Sequence, residues 1–176
     1  MTLNAASRVL LIAVIGPLGT YAQGGQTPAK DRFSLTLDPS HVEAKIGSEL
    51  KVSILLKNLT DKYVVMNVEN GSQGEFDYTI RLMNKGGQEP SHTKYFRAVR
   101  GEDSGDASET TTLVVVGSSG YRGLKPGEGF VKTIDLNKLY LLKPGKYTVQ
   151  VERMDDESKT IVKSNIITVT VTPESS

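Results

Sequence analysis

The sequence predicts an all-β fold, a Greek-key β-sandwich of about eight or nine strands with no long helix. Three observations carry that expectation. Between Glu49 and Asn58, Leu50, Val52, Ile54 and Leu56 share one parity while Lys51, Ser53 and Lys57 share the other, with Leu55 the exception. That is the period of a strand with one buried face. Turn signals rich in Gly, Pro, Asn and Asp recur about every 10 to 15 residues, a spacing that suits short antiparallel strands better than a parallel α/β sheet. Finally, Leu142-Lys143-Pro144-Gly145-Lys146-Tyr147 leads into a second alternating run.

Pro144 presets φ for the second position of a tight turn, and Gly145 accepts the positive φ that a type II turn requires at its third. After it, Tyr147, Val149 and Val151 point one way and Thr148, Gln150 and Glu152 the other. A tyrosine opening such a strand buries its ring and returns its hydroxyl to the backbone just upstream, so that burial strands no polar atom.

The remaining elements follow in chain order. Phe33, Leu35 and Leu37 alternate up to Asp38-Pro39-Ser40, and Val42, Ala44 and Ile46 resume the pattern as a split first strand. After the core strand, Asn58 to Lys62 makes a turn, Tyr63 to Val68 a strand, Asn70 to Gly74 a break, and Tyr78, Ile80 and Leu82 mark another strand. Asn84-Lys85-Gly86-Gly87 reads as a loop tip. Tyr95 to Val99 reads as a short strand and Thr110 to Val116 as a better one, with an exposed acidic loop from Gly101 to Glu109 between them. Gly117 to Gly120 continues the turn-rich character. Leu124-Lys125-Pro126-Gly127-Glu128 echoes the later Pro-Gly turn, and Glu128 to Leu136 is a strand whose inner face the pattern leaves open. Asp135 to Tyr140 suits one helical turn capped by Asp135. Asp155 to Ser158 is a loop, and Ile161 to Val171 the last strand.

The ends differ from this body. In residues 1–22 Arg8 is the sole charge, Val9 to Leu18 is apolar, and Thr20-Tyr21-Ala22 supplies small residues ahead of Gln23. That is the layout of a cleaved secretory signal peptide, too short in its apolar run to span a bilayer comfortably. Residues 23–31 form a flexible lead, 32–172 the domain and 173–176 a tail. Loss of Arg8 leaves 20 basic residues against 20 acidic ones, a balance that favours neither nucleic acid nor an acidic membrane. With no cysteine, a mature chain of ~150 residues relies on its core alone, which is large enough for that. A secreted or periplasmic bacterial protein is the expectation.

No motif carries a reaction. The two histidines, His41 and His92, have no set of partners at ligand spacing. His41 with Glu43 lacks a third ligand, and there is no His-Glu-x-x-His, Gly-x-Ser-x-Gly or phosphate-binding glycine loop. No catalytic residue, metal or cofactor is assigned. The acidic groups Glu102, Asp103 and Asp106, and Asp155-Asp156-Glu157, lack the alternating ligand spacing of a calcium loop and read as solvated loops. Asn58-Leu59-Thr60 and Asn70-Gly71-Ser72 match the glycosylation pattern, and both also read as turns. Tyr95, Phe96 and Arg97 with Arg100 form an aromatic and basic cluster in the irregular region, suited either to anchoring a partner or to an ordinary strand with one buried ring. The candidate binding loop is therefore Tyr95, Phe96, Arg97, Arg100, Glu102, Asp103 and Asp106, within residues 86–125.

The early Leu-x-Leu strand, the run Gly47, Leu50, Val52, Ile54, Leu56 and Asn58, and the turn Leu142, Pro144, Gly145 and Tyr147 resemble bacterial secreted Ig-like sandwich proteins with a tyrosine corner. The segment Ile134 to Tyr140 is more distantly similar to the propiece of deuterolysin-like metallopeptidases and to proteinase inhibitor-like β domains. The metallopeptidase zinc motif is absent. The resemblance implies an Ig-like Greek-key sandwich and a non-enzymatic binding or structural module of the bacterial envelope, with an unidentified protein or glycan as partner. An alternative is a proteinase inhibitor that presents an exposed loop.

Overall fold

The computed structural model describes residues 31–38, 41–71, 74–102 and 117–174. The signal peptide expected at 1–22, nearly all of the lead, Pro39-Ser40, the strand expected at Thr110 to Val116 and the end of the tail lie outside the described residues. Ten strands are present among the described residues: β1 Phe33–Asp38, β2 His41–Lys45, β3 Lys51–Asn58, β4 Val64–Gly71, β5 Thr79–Asn84, β6 Gly117–Leu124, β7 Gly129–Asp135, β8 Gly145–Met154, β9 Ile161–Lys163 and β10 Ile167–Thr172. Among the described residues helical structure is confined to a 3-10 turn at Gly74–Asp77 and two short helices, α1 Lys94–Arg100 and α2 Leu136–Leu139. The chain is thus mostly β, and no helix of the described residues is long and apolar enough to cross a membrane.

Three sheets result. One has the order β1-β3-β7, a second β2-β10-β8-β5 with β9 added on β8, and a third is the β4-β6 ribbon. The split first strand serves both larger sheets: β1 pairs antiparallel with β3, and β2 pairs parallel with β10. The alternating residues of β1, β3, β8 and β10 all turn towards one core, in which Val52, Ile54, Leu56, Leu82, Val149, Val151 and Val169 are buried together. Each such side chain contributes roughly 1.5–3 kcal/mol of apolar transfer. Register settles the face of β7: Phe130, Lys132 and Ile134 stand opposite Leu56, Ile54 and Val52, so that parity faces inward. On the outer face the exposed pair Leu55 and Val131 meets, which accounts for the exception in the β3 pattern.

Several expectations hold in detail. Asp135 caps α2, its Oδ1 accepting the Asn137 N–H at 3.1 Å and the Leu50 N–H at 3.1 Å. Tyr147 is buried, donates its hydroxyl proton to the Lys143 carbonyl at 2.8 Å, and accepts the Lys143 N–H at 3.1 Å.

Others are corrected. Tyr95 to Val99 is not a strand but the middle of α1, because Thr93 caps its start and Gly101, at φ 70°, ends it. Gly117 to Gly120 is not a turn; it forms half of β6, pairing with Val68 to Gly71. Ile161 to Val171 is two strands. Between them Asn165 turns away to hold β1, its Oδ1 accepting from Leu37 N at 2.7 Å and its Nδ2 donating to Leu37 O at 3.1 Å. Pro144-Gly145 makes a bend and not a type II turn: Gly145 has φ 156° and already belongs to β8.

Candidate functional site

The residues of greatest chemical interest gather around α1. Its start is fixed twice by Thr93, whose Oγ1 accepts the Phe96 N–H at 3.1 Å and donates to the Lys138 carbonyl at 2.5 Å, tying α1 to α2. The Thr93 N–H reaches Leu139 O at 3.0 Å, and a lone β-bridge joins His92 to Tyr140. At the other end the Gly101 and Glu102 N–H groups return to the carbonyls of Ala98 and Arg97, closing the helix in left-handed glycine geometry. No residue of α1 is fully buried, yet Tyr95 and Phe96 pack on the core. The helix is therefore a surface element with an aromatic underside.

Helical spacing brings the aromatic and basic side chains together. His92, Phe96 and Arg100 follow each other at four-residue intervals on one face. The His92 and Phe96 rings stack with centroids 3.8 Å apart and planes 17° apart, and Tyr140 tilts against both at 5.2 and 6.2 Å. Phe76 adds contacts of 5.6 Å to Phe96 and 6.1 Å to Tyr95. Arg100 lies over this group, its guanidinium carbon 5.3 Å from the Phe76 centroid and 5.6 Å from that of Phe96. Arg97 points back to donate to the His92 carbonyl at 3.1 Å.

Between these side chains and β5 lies a cleft of about 120 Å3, lined chiefly by Phe76, Ile80, Phe96, Leu139 and Tyr140 with Arg100 and Glu89 at its polar positions. The Tyr140 hydroxyl shares its one proton between Ile80 O at 2.8 Å and Glu89 Oε1 at 3.2 Å; His92 Nε2 is 3.5 Å from the same carboxylate oxygen. Burial, reinforced by the Glu89 carboxylate, pushes the Tyr140 phenol above its ordinary range, which keeps it a neutral donor.

Of the sequence candidates, the structure places Tyr95, Phe96, Arg97 and Arg100 on α1 and Glu102, exposed, just beyond its cap. Asp103 and Asp106 lie outside the described residues. Sequence reasoning weighed His92 only as a metal ligand and missed Phe76, Glu89 and Tyr140. A signal for α1 was present: Thr93 and Gly101 bracket Lys94–Arg100 as N-cap and glycine stop. Nothing local announced Phe76 or Tyr140, which arrive from distant segments.

A second cleft of about 260 Å3 lies at Arg32, Val65, Arg153 and Asp155 to Glu157. Arg32, Asp155 and Glu157 in it are engaged with one another. Arg32 pairs with Asp155 and Glu157, while Asp155 Oδ1 accepts the Glu157 N–H at 3.2 Å and Oδ2 the Ser158 hydroxyl at 2.8 Å. Asp155 is buried, so the expected solvated loop is instead folded around that carboxylate. Nearby, Arg153 donates to the Asn67 carbonyl and sits 3.8 Å from Asp77, whose carboxyl is pushed up by burial against the opposing pull of the Glu69 N–H and of Arg153. No group of three or more metal-ligating side chains occurs among the described residues.

At the first glycosylation match, Asn58 is 1% exposed, and its two Nδ2 protons are shared among the carbonyls of Lys62, Leu124 and Lys125, at 2.8, 3.0 and 3.1 Å. That nitrogen is occupied in the folded chain. No protein-family model matches this sequence, and no characterised protein matches it either.

Proposed function

We propose that the chain is a secreted, non-enzymatic Ig-like module of the bacterial envelope that binds a protein or glycan partner through residues 86–125. The observation that carries the reading is α1: a surface helix holding an arginine against a preformed aromatic cluster beside a small cleft. Arginine and aromatic side chains are the usual anchors of binding interfaces, and a rigid set loses little entropy when a partner arrives. An Ig-like Greek-key sandwich is supported by the first strand shared between two sheets, by the parallel β2–β10 pair and by the Tyr147 hydroxyl held on Lys143.

The test is capture from envelope extract by the full chain and by a variant lacking residues 103–109, which keeps the Gly101 and Glu102 bonds that close α1. Loss of a partner from the variant, with its urea midpoint unchanged, is the expected result. Undiminished capture by the variant, or no capture by either, overturns the reading. Secretion is tested separately by fractionation, with a mature amino terminus expected at Gln23.

A further inference from the structure

We propose that the cleft beside α1 takes a short acidic peptide segment, with an Asp or Glu carboxylate on Arg100 and a neighbouring aliphatic side chain in the cleft bordered by Ile80, Phe96 and Leu139. This rests on the binding reading above and supplies the chemistry of the partner.

Charge and shape both point that way. Arg100 is exposed, and among the described residues it makes no ion pair; its contacts are the faces of Phe76 and Phe96. A guanidinium that lies over rings and makes no ion pair keeps N–H groups available, and two of them match a carboxylate in a bidentate fork. Because the side chain already rests over two rings, pairing it costs less rotamer freedom than pairing a mobile lysine.

The cleft's size selects the rest. Enclosing pockets for small molecules run to roughly 300–1,000 Å3, whereas this one has about 120 Å3. It is room for a single aliphatic side chain, the scale of one anchor residue of a larger partner and not of a free metabolite.

Glu89 gives the site a polarity. Fixed by the Tyr140 hydroxyl at 3.2 Å and close to His92, its carboxylate repels a second acid and accepts an N–H. A peptide backbone running past the cleft offers an N–H to Glu89 and a carboxylate to Arg100, so the two charged lining residues select different groups of the peptide.

The experiment is an amide NMR titration of the full chain with acetyl-Leu-Asp-amide, against acetyl-Leu-Asn-amide as the neutral control. Expected are saturable shifts confined to α1, Glu89 to His92 and Leu139-Tyr140, with the neutral control about tenfold weaker, as befits loss of a charge-assisted bond. Arg100→Gln abolishes saturation while lowering the melting temperature by only a few degrees, the cost of its ring contacts, and Arg100→Lys weakens saturation by keeping the charge without the fork. Equal shifts from the two peptides, no saturation, or wild-type binding by Arg100→Gln overturns the inference. If the 103–109 deletion loses its envelope partner while Arg100→Gln retains it, this inference fails and the binding reading stands; if no partner is captured at all, the reading itself fails.

Discussion

Lys125-Pro126-Gly127-Glu128 and Lys143-Pro144-Gly145-Lys146 share three of four residues and fold differently. The first is a tight turn: the Glu128 N–H returns to Lys125 O at 3.0 Å and Gly127 sits at φ 73°. In the second, Lys143 O is taken by the Tyr147 hydroxyl at 2.8 Å, and Gly145 opens to φ 156°. What distinguishes them is the partner that claims the carbonyl. The first turn is held from outside by Asn58, whose Nδ2 bonds Leu124 O and Lys125 O and whose own N–H reaches Glu128 O at 2.8 Å. The second is held by a ring two residues on, buried as β8 begins. A Pro-Gly pair thus specifies that the chain turns, and a side chain elsewhere decides how.

The comparison can be broken most severely at Asn58. Asn58→Ala takes the side-chain donor from the buried Leu124 carbonyl and frees the Thr60 N–H, and should cost about 3 kcal/mol in urea unfolding; a loss below 1 kcal/mol would mean the first turn stands without its anchor. Next comes Gly145→Ala. At φ 156° the backbone is one that side chains rarely adopt, so about 2 kcal/mol is expected, against about 1 kcal/mol for Gly127→Ala in ordinary left-handed geometry. Equal costs would show that the two glycines are under the same demand. Tyr147→Phe should cost about 1 kcal/mol. Combining it with Gly145→Ala should give less than the sum, because without the hydroxyl the second turn is free to close like the first.

The smallest effect lies at the far end of β8. Glu152 stands between Arg81 Nε at 2.8 Å and Lys163 Nζ at 3.0 Å, and these bonds, Arg81 first, hold its carboxyl below the ordinary range. Its folded pKa being the lower one, the stabilisation is complete above the unfolded value and is lost as pH falls through the folded one. Glu152→Gln should therefore flatten the acid limb of stability against pH while leaving the Tyr147→Phe difference intact. An unchanged acid limb would show that the two cations do not act on Glu152.

Much of the β architecture was legible because alternation and turn chemistry are local. Leu50 to Leu56 and Tyr147 to Val151 read correctly, as did the Asp135 cap, since each signal lies within a few residues of its effect. The candidate site was legible only in part. Arg100 was visible as a charge near aromatics, but its rings come from Phe76 on one segment and Phe96 on another, and Tyr140 reaches the cleft through a bridge to His92.

Sequence alone determined which residues face inward on the regular strands, where the chain reverses, and which short segment takes a capped helical turn after β7, because those depend on side-chain period and on the φ limits of proline and glycine. Tertiary structure decided that the first strand divides between two sheets, that Phe130 and not Val131 faces the core, that the two Pro-Gly pairs differ, and that Arg100 lies over Phe76. Each of these depends on a contact between residues far apart in the chain, where competing partners for one carbonyl, one ring face or one strand edge are compared only once the chain has folded.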